Sequence, residues 1–446
     1  MTFLPPDHPE RLVLADEVHA RPPEPLSTPA RATYVAVLFS PDERDPERQH
    51  LACLCARYDV VPPPAGTTQF SARLGGLRMK WERHGEFSGY TFFAAEPAAK
   101  PFVDTAVAAL PAGWLQGLPG RTVAAAHAVL IKGQGCVPSM QALAEYFDGN
   151  TPVGAAVGAD MGYAFTDFRI HGDGCGRFVM LDDGFTPNQA GRLLQRLFEI
   201  DAYRMLALLA LPIARRQSPR IVAIEQALAE LTDGIAREDG REEALLHELT
   251  RLAAEVESGL SASQFRFGAC RAYSELVRTR IEELREQRVP GLQTIAEFMT
   301  RRFTPAVTTC QTVSQRLHDL SERVAQASGL LATRVGIARE RQNQDLLTSM
   351  NRRARLQLRL QQTVEGLSIA AIVYYVVGLL GYVTKALKAG GLALNSDLAV
   401  GLAVPVVAGL VFVAVRRVRR RIAHAEPDDA MQGEHAPRTQ GSPWRH

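Results

Sequence analysis

Polar and apolar positions alternate between residues 71 and 93. Leu77, Met79 and Trp81 fall on one side, Arg78, Lys80, Glu82 and His84 on the other. A period of two with one apolar side predicts a half-buried strand with Trp81 in the core, and Gly85 and Gly89 predict a hairpin turn beside it. Two further β-rich runs, TYVAVLF (33–39) and AAAHAVLI (124–131), are set off by Pro/Gly turns and helical stretches, so residues 1–185 read as a cytosolic α/β domain.

From about Thr186 the period becomes helical, as in QAGRLLQRLFEIDAYRMLALLAL (189–211). Pro219, Gly240, Ser261 and Pro290 are expected to divide the next hundred residues into about three helices. Beyond Pro305, Cys310, Val313, Leu317, Leu320, Val324, Ala327 and Leu331 step by threes and fours, a heptad seam. One helix over 306–383 would be on the order of 115 Å long at 1.5 Å per residue, which reads as a stalk. Several broken helices in a bundle are the alternative. Residues 186–362 are thus a helical bundle and stalk.

Two uncharged runs follow, 366–383 and 398–415, each long enough to cross a bilayer core, and 363–421 is read as a two-helix transmembrane region. Arg352, Arg353, Arg355 and Arg359 precede the first run, and Arg416, Arg417, Arg419, Arg420 and Arg421 follow the second. The link between them carries only Lys385 and Lys388 as basic residues. The positive-inside rule then puts both termini in the cytoplasm of a bacterial inner membrane and makes 384–397 a small outer loop. The polar tail, 422–446, is expected to be disordered.

The first run carries hydroxyls and glycines at mid-span. Ser368, Tyr375 and Tyr382 recur every seven residues with Ala371 and Gly378 between them, and Glu365 and Lys385 stand at the two ends. Hydroxyls are costly against lipid and small residues let helices approach closely, so this stripe is expected to face other helices or water. Two spans per chain cannot enclose it, which predicts a homo-oligomer with the first span innermost. The stripe then either lines an ion path or serves as helix–helix packing.

Composition changes this picture little. The chain has 446 residues, 46% apolar, with a formal charge of +2, so no nucleic-acid partner is indicated. Six cysteines without paired spacing fit a reducing compartment, and the opening MTFLPPDHPERL has no leader pattern, so no cleavable signal is expected. No P-loop, GxGxxG, HExxH or GxSxG motif occurs.

EVHARP (17–22), RMKWERHGEF (78–87) and TVEGLSIAAIVYYVVGLLGY (363–382) resemble a bacterial family of membrane-anchored proteins, a domain of unknown function. The resemblance implies an inner-membrane protein with a cytosolic bulk and supplies no activity. The overall plan also resembles CorA-type magnesium transporters, oligomers whose first span lines the pore. That family ends its first span with Gly-Met-Asn, where this chain has Gly381, Tyr382 and Val383.

In the soluble part, Glu17, His19 and Arg21 alternate, as do Glu82, His84 and Glu86, and DFRIHGDG adds Asp167, Arg169, His171 and Asp173. If these segments converge they offer ligands for a divalent metal ion, or acid/base partners. Each alone reads first as the solvated face of a strand or a turn. The sequence therefore leaves two functions open: an oligomeric ion channel or transporter of CorA-like plan, or a non-conducting membrane-anchored scaffold or sensor. An enzyme is the weaker third reading.

Overall fold

The computed structural model describes residues 5, 7–19, 22–95, 101–236, 242–389 and 396–423. They form two compact units, Met1–Ala332 and Thr333–His446. The first opens with helix α1 (Arg11–His19) and strand β1 (Ala30–Leu38), followed by α2 (Arg44–Arg57), β2 (Gln69–Leu74), β3 (Leu77–Arg83) and β4 (Phe87–Ala94). Then come β5 (Arg121–Lys132), α3 (Met140–Tyr146), β6 (Val153–Val157), β7 (Gly162–Thr166) and β8 (Gly176–Asp182). These strands make one mixed eight-stranded sheet in the order β2-β3-β4-β1-β5-β8-β7-β6. Only β5 and β8 pair in parallel, and the α3–β6–β7 excursion supplies the long connection that a parallel pair requires.

Both faces of the sheet are covered. On one, Val35, Val37, Met79, Trp81, Tyr90 and Phe92 pack against Leu51, Leu54 and Cys55 of α2 and against Trp114. Farther along the same face, Val129, Phe165, Val179 and Leu181 meet Leu143 and Phe147 at α3. The opposite face lies under α4 (Pro187–Leu208), where Tyr34 stacks on Phe198 with ring centroids 5.2 Å apart. Thr186 and Gln189 close a capping box at the start of α4, and Pro187 fills its first turn, where no N–H is needed.

This second layer overturns one expectation. The polar side of β3 is not solvated: Lys80 is 5% exposed and Glu82 8%, because α4 lies over them. The hairpin turn falls between Arg83 and Phe87, as Gly85 predicts, but Gly89 sits inside β4. A Cβ there would stand 3.0 Å from the Tyr34 ring, so this glycine makes room for a side chain.

The helices after α4 are longer than their breakers predict. Pro219 lies inside α5 (Leu211–Ala236) and Ser261 inside α6 (Glu242–Leu284). Pro219 is tolerated because it and Arg215, whose carbonyl it leaves without a helical donor, are both exposed. Pro290 does mark a boundary, between α6 and α7 (Ile295–Arg302), while Gly240 is outside the described residues. Helix α8 (Thr304–Ala389) is a single element of 86 residues, and every member of its predicted seam from Cys310 to Leu331 is buried. Arg316 Nη2 lies 2.6 Å from Glu225 Oε2 of α5, and Leu317 packs beside Gly259 of α6.

The segment before β1 crosses α4 at Gly191, where a Cβ would sit 1.9 Å from the Glu24 carbonyl oxygen. Backbone cannot move aside as a flexible side chain can. Gly191→Ala is therefore expected to destabilise the fold by about 1–3 kcal/mol, as overpacking does, read as a lower melting temperature of the full chain.

In the second unit, the C-terminal part of α8 and helix α9 (Ser396–Ala423) each hold a segment long and apolar enough to cross a membrane.

Candidate functional site

Two polar sites lie on opposite faces of the sheet. Under α4, Lys80 Nζ is 3.0 Å from Glu82 Oε1 and donates to the Pro22 carbonyl at 2.7 Å. Glu24 pairs with Arg78 at 3.3 Å and accepts from Ser71, while Arg78 also donates to the Pro25 carbonyl at 2.8 Å. These contacts bring the end of the EVHARP stretch onto the RMKWERH strand. Lys80, Glu82, His84, Tyr34, Glu199 and Tyr203 line a cavity of about 30 Å³, room for one or two waters. Burial and then the neighbouring Tyr203, Glu82, Glu199 and Asp201 drive the Tyr34 phenol well above its ordinary range, so it stays protonated. Glu86 is not part of this chamber but is paired with Arg266 of α6. Glu17 and His19 end helix α1, so they do not share a strand face as their alternation predicts. Their side chains, and Arg21, are outside the described residues.

The other site gathers at the junction of β5 and β8. His127 is directly opposite Arg177 in the ladder, and its Nδ1 is 2.8 Å from Thr33 Oγ1 of β1. Its Nε2 points toward Asp173 Oδ2 at 3.7 Å. Asp173, Cys175 and His127 each place one donor atom within 4.8 Å of the others. The turn that carries Asp173 is closed by Gly174 N–H to the His171 carbonyl and His171 N–H to the Cys175 carbonyl, both 2.9 Å. Gly174 has φ +83°, a left-handed value that favours glycine.

His171 stands next to this trio in a separate network. Its Nδ1 bonds Asp148 Oδ2 at 2.9 Å. Nε2 lies 3.0 Å from Asp167 Oδ2 but outside hydrogen-bonding angles, so this buried nitrogen has no bonded partner. Asn150 holds Asp167 at 2.9 Å and Arg177 holds Asp148 at 2.8 Å. The bonds from His171 and Arg177 keep the Asp148 carboxyl below its ordinary pKa. Burial raises the Cys175 thiol to about 12, helped by Asp173 and Asp201, so it is a thiol at neutral pH.

His127 responds to burial in the opposite sense. Desolvation lowers its pKa below the ordinary 6.5, outweighing the upward pull of Asp173, and Arg177 adds to the lowering. The unfolded chain then binds a proton that the folded chain does not, so this group contributes stability above the unfolded pKa that is lost as pH falls below it. Unfolding free energy should decline as pH drops below 6.5, and His127→Gln should flatten part of that decline when melts of the two proteins are compared across pH.

The tyrosine-bearing stripe is in the second unit. At 100° per residue, Ser368, Ala371, Tyr375, Gly378 and Tyr382 fall within about 80° of one another around α8, and Glu365 stands to one side of them. Ile369, Val373, Val377, Leu380 and Thr384, about half a turn away, are only half exposed. Val373 and Val377 line a groove shared with Gly401, Val404 and Ala408 of α9, and Gly378 and Tyr382 reach its edge. Ser368, Ala371 and Tyr375 do not contribute to that groove and are exposed.

A family model described as a protein of unknown function, DUF3422, matches residues 6–422. The chain belongs to this family. No curated protein and no solved structure matches it. The DUF3422 match covers the sheet, the long helices and both apolar helices together, so sheet-bearing and apolar parts are one family unit.

Of the residues singled out by the sequence, His171 and Asp173 lie at the β5–β8 junction, whereas His127, Cys175 and Thr33 beside them carry no motif of their own. His127 interrupts an otherwise apolar strand, AAAHAVLI, and a buried imidazole there needed a polar neighbour. That interruption was the available signal. Which segments supply the neighbours depends on the β1–β5–β8 pairing.

Proposed function

We propose that this DUF3422 chain is a two-span bacterial inner-membrane protein that self-associates along α8, with its sheet-bearing unit in the cytosol and an ion path along the shared α8 face. The observation that carries this reading is an exposed, largely apolar stripe. Leu346, Met350, Leu356, Leu360, Val364 and Leu367 are all exposed and fall within about 120° of arc around α8, at 100° per residue. Ser349, Arg353 and Gln357 interrupt it. The same arc continues into Ser368, Ala371, Tyr375, Gly378 and Tyr382, on the side of α8 away from its half-covered residues.

Five of these side chains, Leu346, Met350, Leu356, Leu360 and Val364, precede the uncharged run and have no lipid to justify them, and a second copy of the same helix covers them at once. The clustered arginines on both flanks support a cytosolic location for the soluble unit. The test is the particle mass of the full-length protein in detergent by light scattering. A defined oligomer is expected; a monomer would overturn both the association and the path, because two spans cannot enclose one.

A second reading, a non-conducting membrane-anchored sensor, draws on a different observation: two buried polar sites in the sheet-bearing unit, one of them with metal-ligand chemistry. A defined oligomer that passes no ion in liposomes would favour it.

A further inference from the structure

We propose that His127, Asp173 and Cys175 bind a divalent transition-metal ion of the zinc class. The inference rests on the sheet-bearing unit alone and holds whether or not the chain conducts.

The three donor atoms lie within 4.8 Å of one another. Tetrahedral bonds of about 2.0 Å to nitrogen or oxygen and 2.3 Å to sulfur set these donors roughly 3.3–3.5 Å apart, so the site closes by about an ångström on an ion. The 3.7 Å between His127 Nε2 and Asp173 Oδ2 is only a few tenths of an ångström wider than such a pair needs, and it is too long for a hydrogen bond that would otherwise account for the pair.

Two of the donors, His127 and Asp173, are oriented by contacts that leave their metal-facing atoms free. Thr33 Oγ1 holds His127 Nδ1 at 2.8 Å, so the imidazole can present the Nε2 lone pair. A second-sphere bond to the other ring nitrogen is the usual arrangement for a ligating histidine. Asp173 Oδ1 accepts the Cys175 N–H at 2.9 Å, leaving Oδ2 toward His127. His127 is fixed in the centre of the β1–β5–β8 ladder, and Cys175 immediately precedes β8 at its start.

Charge and softness agree. One carboxylate and one thiolate neutralise a dication, with a neutral imidazole as third ligand. Arg177, the cation opposite His127 in the ladder, is engaged by Asp148 Oδ1 at 2.8 Å and by the Tyr146 carbonyl at 3.0 Å. A sulfur–nitrogen–oxygen set suits Zn²⁺ or Co²⁺, whereas Mg²⁺ and Ca²⁺ require oxygen. On binding, the Cys175 S–H bond breaks, the proton leaves to solvent and the thiolate bonds the metal, with no change of oxidation state. The Asp173 side chain is 36% exposed, which gives the ion a way in and leaves a fourth position for water.

Cobalt titration of the full-length, chelator-treated protein in detergent tests this. One equivalent of Co²⁺ per chain should bind with a near-ultraviolet thiolate-to-cobalt band, and zinc but not magnesium should abolish it. Cys175→Ser should lose the band, while a variant with both exposed cysteines replaced, Cys53→Ser with Cys136→Ser, should keep it. His127→Asn should weaken cobalt binding at least tenfold with the band retained at saturation. Absence of the band in the unaltered protein overturns the site, as does a band that survives in Cys175→Ser or disappears with Cys53 and Cys136. If Cys175→Ser fails to fold by circular dichroism, His127→Asn decides: unchanged cobalt affinity there also overturns it.

Discussion

Glu47→Ala is expected to destabilise the sheet-bearing unit by about 3–5 kcal/mol, the cost of breaking a buried charge network by removing one partner. Glu47 is 1% exposed, and its Oε1 accepts from both the Trp81 indole and the Tyr90 hydroxyl at 2.9 Å. Arg44 reaches its Oε2 at 3.1 Å. Alanine would leave a largely buried guanidinium without its carboxylate and two aromatic donors without an acceptor, each under the packed layer of α2. The Trp81 and Tyr90 rings would keep their apolar contacts, so the loss should be one of stability rather than of fold. Thermal melts of the full chain, followed by tryptophan fluorescence, should show a drop on the order of 10 °C. A drop of under 2 °C would mean that water replaces the carboxylate at little cost. Trp81 is thus more than the core residue its spacing predicts: it ties β3 to α2 through a shared acceptor.

Leu356→Lys combined with Leu360→Lys is expected to convert the proposed oligomer to monomers in detergent. Both leucines are exposed on α8, and covering one such side chain contributes roughly 1.5–3 kcal/mol per copy. Lysine forfeits that contribution and sets like charges against each other at the centre of the contact. Gln362→Lys adds a single positive charge about half a turn away around α8 and should leave the particle mass unchanged. Equal masses for all three proteins would remove the stripe from the association. Tyr375→Phe belongs to the same experiment. It keeps the ring and removes the hydroxyl, so the oligomer should survive, and liposome flux should change only if the stripe lines the path. Glu365→Gln serves as a second probe of flux, displaced to one side of the arc.

Some of this was already written in local periodicity. The seam from Cys310 to Leu331 and the two uncharged runs need only residue spacing along one helix, since each face of a helix repeats by threes and fours whatever packs against it. The same holds for the β3 hairpin, where the strand period and Gly85 act within a few residues of each other. Helix breakers were less reliable guides: Ser261 costs a helix only about 0.5 kcal/mol, and Pro219 lies where the carbonyl it leaves unbonded is exposed.

The sequence by itself therefore determined a sheet-bearing part followed by long helices, two apolar helices near the end, and membership in one family over residues 6–422. Only the tertiary structure decided what the polar residues of the sheet do. Lys80 and Glu82 look solvated in a strand pattern, and α4, a hundred residues later, buries them. His127 looks like an isolated interruption until β1 brings Thr33 to one ring nitrogen and the turn before β8 brings Asp173 and Cys175 toward the other. Strand order and helix layering are set by long-range burial, which depends on the whole chain at once, so no local window of sequence contains it.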